Sequence, residues 1–202
     1  MTVYVETNFV LEIALLQEEH RECAEVVELC KQRSLRLVIP AFSLAEPYST
    51  IRQKNNRRAE LNVRLGPELQ DLARTKSYHE LRPAMDSITS LLARAEQDET
   101  LRLRNTLEDF TTAAEIIPLD QSGVASALVH EGQTKLKLPD AIVLASIILH
   151  LDSTKPSLSC FLNKNKKDFA DPDVDIQLTS RNCKLIPTFR DGLSYIKSQL
   201  GK

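Results

Sequence analysis

Two β-forming runs lie within the first forty residues, each leading directly into a helix, and this alternation constrains the fold more than any other feature. Val3 to Val5 are β-formers; Thr7 or Asn8 can cap a helix, and Phe9, Ile13 and Leu16 recur at helical spacing. A second helix carries Cys23, Val26, Val27 and Cys30. Leu35, Leu37 and Ile39 alternate with Arg36 and Val38 and stop at Pro40, the pattern of a strand that turns into the next helix. The order β-α-α-β-α within about fifty residues favours a parallel sheet covered by helices on both faces.

Between about Arg57 and Ile116 the character changes to charged amphipathic helix. Leu61, Leu65, Leu69 and Leu72 form one apolar stripe. Leu81, Met85, Ile88, Leu92 and Ala95 form a second, and Leu103, Leu107, Phe110 and Ala114 a third. The Gly66-Pro67 pair is expected to kink or break the first stripe, and Pro83 suits the first turn of the second. The alternation then resumes, with strand signals at Ile116 to Leu119, Leu158 to Leu162 and Lys184 to Ile186. Helix signals lie at Ser122 to Glu131, Pro139 to Leu151 and Phe189 to Leu200. The second of these is apolar nearly all round, hence buried on more than one face.

A chain of 202 residues with 42% hydrophobic content can bury a core as one domain spanning 1–202, with a charged helical insertion at about 57–115. Its net charge of −2 argues against a protein that coats nucleic acid, because such binding rests on many Lys and Arg contacts to phosphate. Local basic stretches exist at Arg52, Lys54, Arg57, Arg58 and Arg64, and at Lys164, Lys166 and Lys167. An ordinary solvated face accounts for the first of these. Cysteines 23, 30, 160 and 183 lack Cys-x-x-Cys spacing, so neither zinc nor a disulfide framework is indicated. No signal-peptide pattern opens the chain, and the apolar run Ala141 to Leu151 is too short to span a bilayer. The expectation is a soluble, cytoplasmic protein with no membrane association.

Four segments place a carboxylate or its amide analogue where a strand ends or a helix begins: Glu6-Thr-Asn8, Ser43-Leu-Ala-Glu46, Pro139-Asp140, and Asn163-Lys-Asn-Lys-Lys-Asp168. Residues just past the carboxyl ends of strands in an open α/β sheet converge on one crevice. Carboxylates gathered there repel one another and call for a hard, oxygen-preferring cation such as Mg²⁺ or Mn²⁺. Each position also has a plainer role. Glu6 fits the exposed mouth of a central strand. Ser43 to Glu46 matches a helix capping box, although Pro47 weakens it and suits a helix that begins at Pro47 itself. Asp140 beside Pro139 is a natural cap, while a carboxylate leading a buried helix needs a partner, and a metal is one. Asn163, Asn165 and Asp168 can offer oxygen to a metal, or form a polar turn.

Taken in order, these segments resemble the PIN-domain family of metal-dependent ribonucleases over about residues 1 to 51 and 116 to 190. The resemblance implies a three-layer α/β/α fold with a central parallel sheet, one or two Mg²⁺ or Mn²⁺ ions, and cleavage of RNA. Many bacterial members are toxins of toxin–antitoxin pairs. Carried over by position, Glu6, Glu46, Asp140 and Asp168 are the catalytic and metal-holding acids, and Asn163, Lys164, Asn165 and Lys166 contact substrate. Glu6 stands where the family usually has Asp, and Asn165 where it often has Asp. The implied partners are RNA, a second copy in a homodimer seated on Leu61, Leu65, Leu81, Met85 or Leu92, and an antitoxin if the chain is a toxin. The alternative function is a non-catalytic PIN-like module that binds RNA or protein.

Overall fold

The computed structural model describes residues 1–165, 169 and 171–201. The chain begins with β1 (Thr2–Tyr4), α1 (Thr7–Ala14), α2 (His20–Lys31) and β2 (Arg36–Pro40). Two long helices come next, α3 (Ala41–Arg74) and α4 (Arg82–Ala113), joined by a 3₁₀ segment at Lys76–Leu81. The remainder is β3 (Glu115–Ile117), α5 (Gln121–Gln133), α6 (Leu138–Thr154), β4 (Ser159–Leu162), α7 (Pro172–Thr179), β5 (Cys183–Ile186) and α8 (Phe189–Leu200).

Among the described residues the strands form one parallel sheet in the order β3-β2-β1-β4-β5, so β1 is central as the sequence requires. Val3 lies opposite Leu37 on β2 and Cys160 on β4, and Tyr4 opposite Val38 and Phe161. Because side chains alternate across a strand, each set builds its own core. Val3, Val5, Leu37, Ile39, Cys160 and Leu162 pack under α1, α2, α8 and the bases of α3 and α4. Tyr4, Val38, Phe161 and Cys183 pack under α5, α6 and α7. The result is the expected three-layer α/β/α arrangement.

Aromatic and polar contacts fix the layers. Phe9 of α1 meets Phe110 of α4 and Phe189 of α8 edge to face, with ring centroids 6.2 and 5.2 Å apart. On the other face, His150 of α6 donates from Nε2 to Glu115 at 3.1 Å, which leaves Nδ1 to accept the Tyr4 hydroxyl at 2.8 Å. Arg36 donates to the other oxygen of Glu115. Gly192 lets α8 approach β4, since a Cβ there would lie 2.6 Å from Leu162 Cδ2.

The middle of the chain departs from the sequence expectation in two ways. First, α3 begins at Ala41 with Pro40 as its N-cap, so Glu46 and Pro47 lie inside the helix and the capping box is not formed. Second, α3 continues through Gly66-Pro67 instead of breaking there, and the second and third apolar stripes belong to one helix, α4. Pro67 removes only the amide that the exposed Val63 would accept, and water can serve that carbonyl. The adjacent α4 holds both halves of α3 in line. Pro83 does sit in the first turn of α4.

Among the described residues, the far halves of these helices pack on each other and on the 3₁₀ segment that joins them, and form an arm. Its root is a two-pronged ion pair: Arg58 donates to both oxygens of Glu99, at 2.7 and 2.9 Å, and also to Asn55 at 3.2 Å. From Arg58 to Arg74 the arm reaches about 25 Å at helical rise. Leu65, Leu69, Met85, Leu92 and Ala95 are half-buried, whereas Leu61, Leu72, Leu81, Ile88 and Leu91 are exposed. No helix among the described residues is long and apolar enough to cross a membrane.

Candidate functional site

The carboxyl ends of β1, β2 and β4 are neighbours in the sheet: β4 runs straight into Asn163, β1 reaches Glu6 after Val5, and β2 enters α3, whose first two turns carry Ser43 and Glu46. Glu6 comes one residue after Val5 in extended conformation and is the N-cap of α1. Its Oε2 accepts the N–H of Asn8 at 3.0 Å. Its Oε1 is buried and has no hydrogen-bond partner among the described residues. Burial, joined by the charges of Glu46 and Asp140, pushes the Glu6 carboxyl from 4.5 up to about 8, against the opposing effect of Asn8. Glu46 and Asp140, each distant from Glu6 in sequence, thus lie near enough for their charges to act on it.

Glu46 is half-buried on the second turn of α3. In place of capping its own helix, it accepts the hydroxyl of Thr7, the residue directly after Glu6. Ser43, one turn earlier, is fully buried, and its hydroxyl has no partner among the described residues. Asp140 stands in the first turn of α6, where the exposed amides of the helix start favour a negative charge.

On the loop after β4, Asn163 donates its backbone N–H to Ile186 of β5 at 3.1 Å. Its side-chain oxygen accepts the N–H of Asn165 at 2.7 Å. Its Nδ2 is buried without a partner among the described residues. The Asn165 carbonyl accepts the N–H of Phe169 at 3.3 Å, and Phe169 packs edge to face on Phe161. Lys164 reaches Glu12 at 3.3 Å and Glu18 and Glu19 at 3.7 Å. Asp168, Lys166 and Lys167 lie outside the described residues.

Among the described residues no three His, Cys, Asp or Glu side chains are gathered closely enough to form a finished metal cage. The donor chemistry nonetheless fits a divalent cation. A buried carboxylate oxygen with no donor among the described residues, under the charges of two further acids, carries an electrostatic cost that a hard cation would remove. Glu6, Glu46 and Asp140 supply oxygen only, the ligand preferred by Mg²⁺ and Mn²⁺.

Thr7 and Asn8 are the expected caps of α1, yet Glu6 is the N-cap and the Thr7 hydroxyl serves Glu46. Glu12 and Glu19 are buried acids outside the set of expected site residues. A signal for Glu12 was present, because Phe9, Glu12, Ile13 and Leu16 lie on one helical face, and an acid on an apolar stripe implies a buried partner. No comparable signal marks Glu19.

A family model described as PIN domain matches residues 3–169. No curated protein and no solved structure gives a match.

Proposed function

Because the chain belongs to the PIN-domain family, whose members are in general nucleases, we propose that it is a metal-dependent endoribonuclease that cleaves RNA in the cytoplasm. The observation that carries this reading is the buried, unpartnered Oε1 of Glu6 beside the charges of Glu46 and Asp140. Glu6, Glu46, Asp140 and Asp168 would hold Mg²⁺ or Mn²⁺. When bound, the ion would supply a water of lowered pKa and stabilise charge on the phosphoryl oxygens.

The chain's own groups have separable tasks. Glu6 keeps one oxygen on the α1 amide and the other free, so its carboxyl is oriented before any ligand arrives. Thr7 fixes the rotamer of Glu46. Asn163 Nδ2 is a buried donor without a partner among the described residues, suited to a ligand oxygen that enters the crevice, and Asn165 and Lys166 follow in the sequence as further substrate contacts. Neither a histidine nor a serine nucleophile is needed. The exposed leucines of the arm support a homodimer, and a toxin role would add an antitoxin as partner.

The test is cleavage of single-stranded and structured RNA by purified protein with Mn²⁺ or Mg²⁺, with and without chelator. Cleavage that chelation abolishes and that Asp140→Asn lowers at least a hundredfold supports the reading. Undiminished metal-dependent cleavage by Asp140→Asn assigns the activity to another site or a contaminant. RNA binding without cleavage under either metal replaces the enzyme with a non-catalytic RNA-binding module.

A further inference from the structure

A second polar cluster lies beside the proposed centre and takes no direct part in its chemistry. Glu12, on the buried face of α1, is 1% exposed. Its carboxylate accepts the backbone N–H of Glu19 at 2.6 Å. Glu19 in turn accepts the backbone N–H groups of Phe189 and Arg190, both at 3.3 Å, at the start of α8. The ammonium of Lys164 enters this cluster from the loop after β4, at 3.3 Å from Glu12 and 3.7 Å from both Glu18 and Glu19. One cation therefore joins α1, the α1–α2 turn and the β4 loop, while Glu19 extends the network to α8.

Resting on the ribonuclease reading, we propose that Lys164 is a positioning residue that locks the Asn163–Asn165 loop against α1, the helix that starts one residue after Glu6. The sequence offers Lys164 as a phosphate contact, but its ammonium is already taken up by three carboxylates. A buried acid such as Glu12 needs that cation, since removing one member of a buried pair leaves the other charge uncompensated. The same bond that neutralises Glu12 thus fixes where the β4 loop stands relative to Glu6. Groups bonded directly to metal ligands change metal affinity by about 10–100-fold when removed; Lys164 acts one step further out, through the loop, so the lower end of that range is expected.

The experiment compares wild type, Lys164→Met, Lys164→Arg and Glu12→Gln by calorimetric Mn²⁺ binding, RNA binding in EDTA, and kcat against KM. Positioning predicts that Lys164→Met and Glu12→Gln each weaken Mn²⁺ binding about tenfold or more and lower kcat. RNA affinity in EDTA should stay within about threefold, and Lys164→Arg should restore Mn²⁺ affinity. If Lys164→Met unfolds, the Glu12→Gln/Lys164→Met double variant removes the uncompensated charge, and its Mn²⁺ affinity decides the matter. Weakened RNA binding in EDTA with unchanged Mn²⁺ affinity makes Lys164 a phosphate contact and overturns the proposal. A wild type that binds Mn²⁺ no better than these variants overturns it alone. A wild type that binds no Mn²⁺ overturns the underlying ribonuclease reading as well.

Discussion

The hydroxyl of Thr7 donates to a carboxylate oxygen of Glu46, so the residue after the first acid of the crevice orients the second. This contact spans 39 positions in sequence and replaces the local capping role that Ser43 and Glu46 suggested. Thr7→Val keeps the shape and removes the donor. We expect it to lower Mn²⁺ affinity and RNA cleavage by about 10–100-fold. Its stability cost should be only about 1 kcal/mol by urea titration, and Thr7→Ser should restore cleavage. Equal cleavage by Thr7→Val and wild type would show that Glu46 needs no such restraint.

Glu6 predicts a pH dependence with a definite sign. Its folded pKa of about 8 exceeds its ordinary 4.5, so the folded chain holds a proton that the unfolded chain releases over this range. The associated stability is fully present below about pH 4.5 and is lost as pH rises through about 8, an effect on the order of a few kcal/mol. In EDTA the melting temperature should therefore fall between pH 5 and 8.5, and Glu6→Gln should flatten that fall. Mn²⁺ must displace the proton, so its protection of the wild type should grow over the same range. An unchanged slope in Glu6→Gln would assign the proton to another group.

The arm gives a test of oligomeric state. Leu61 and Leu91 are 51% and 63% exposed, whereas Leu65 and Met85 are half-buried where the two helices meet. Acidic substitutions at Leu65 or Met85 would spread the helices apart and so confound the test. Leu61→Asp with Leu91→Asp leaves that packing intact and is expected to convert a dimer to a folded monomer in light scattering. A wild type that is monomeric at high concentration removes the homodimer.

The root of the arm should be the more fragile point. Glu99 is largely buried and Arg58 only partly so, with side chains 11% and 29% exposed, and the two bond through both terminal guanidinium nitrogens. Breaking the pair with Glu99→Leu leaves the partly exposed Arg58 with water and Asn55 as partners and is expected to cost about 1–2 kcal/mol. Replacing both residues, as Arg58→Met with Glu99→Leu, should recover most of that loss. Additive losses in the double variant would mean that the two side chains stabilise the arm independently.

Gly192 offers a probe from the opposite side of the site. A methyl group there would press on Leu162, the last residue of β4 and the neighbour of Asn163. Gly192→Ala should destabilise by about 1–3 kcal/mol and lower cleavage beyond what its folded fraction explains. Loss of stability with full specific activity would show that the loop absorbs the shift.

The strands and the central place of β1 were legible because buried parallel strands write continuous β-forming runs, as in Val3-Tyr4-Val5 and Leu37-Val38-Ile39, whereas the order of the other strands was not. Positions at strand ends were legible for the same reason, since a strand's last apolar residue marks its mouth. What escaped depended on partners far along the chain. Gly66-Pro67 reads as a break because propensity is local, whereas α4 supports the helix from outside. The short α7 carries too few turns for an apolar stripe, and only Asp171-Pro172 marked its start. The pairing of Glu12 with Lys164 joins positions 152 residues apart, a distance over which pattern reasoning has no purchase.

The register of β2 and β3 has a kinetic consequence. Pro40 pairs with Ile117, although two helices of 34 and 32 residues separate these strands in the chain. Closing so long a loop from an unstructured chain would slow folding, because its entropy is lost before any strand contact compensates. A helical hairpin removes that obstacle through neighbouring contacts alone. Its near-equal legs return the chain to the height at which it left, so Glu115 reaches the edge of β2 already aligned. The arm would then set the order of assembly, with β3 added to the sheet only after α3 and α4 have zipped together.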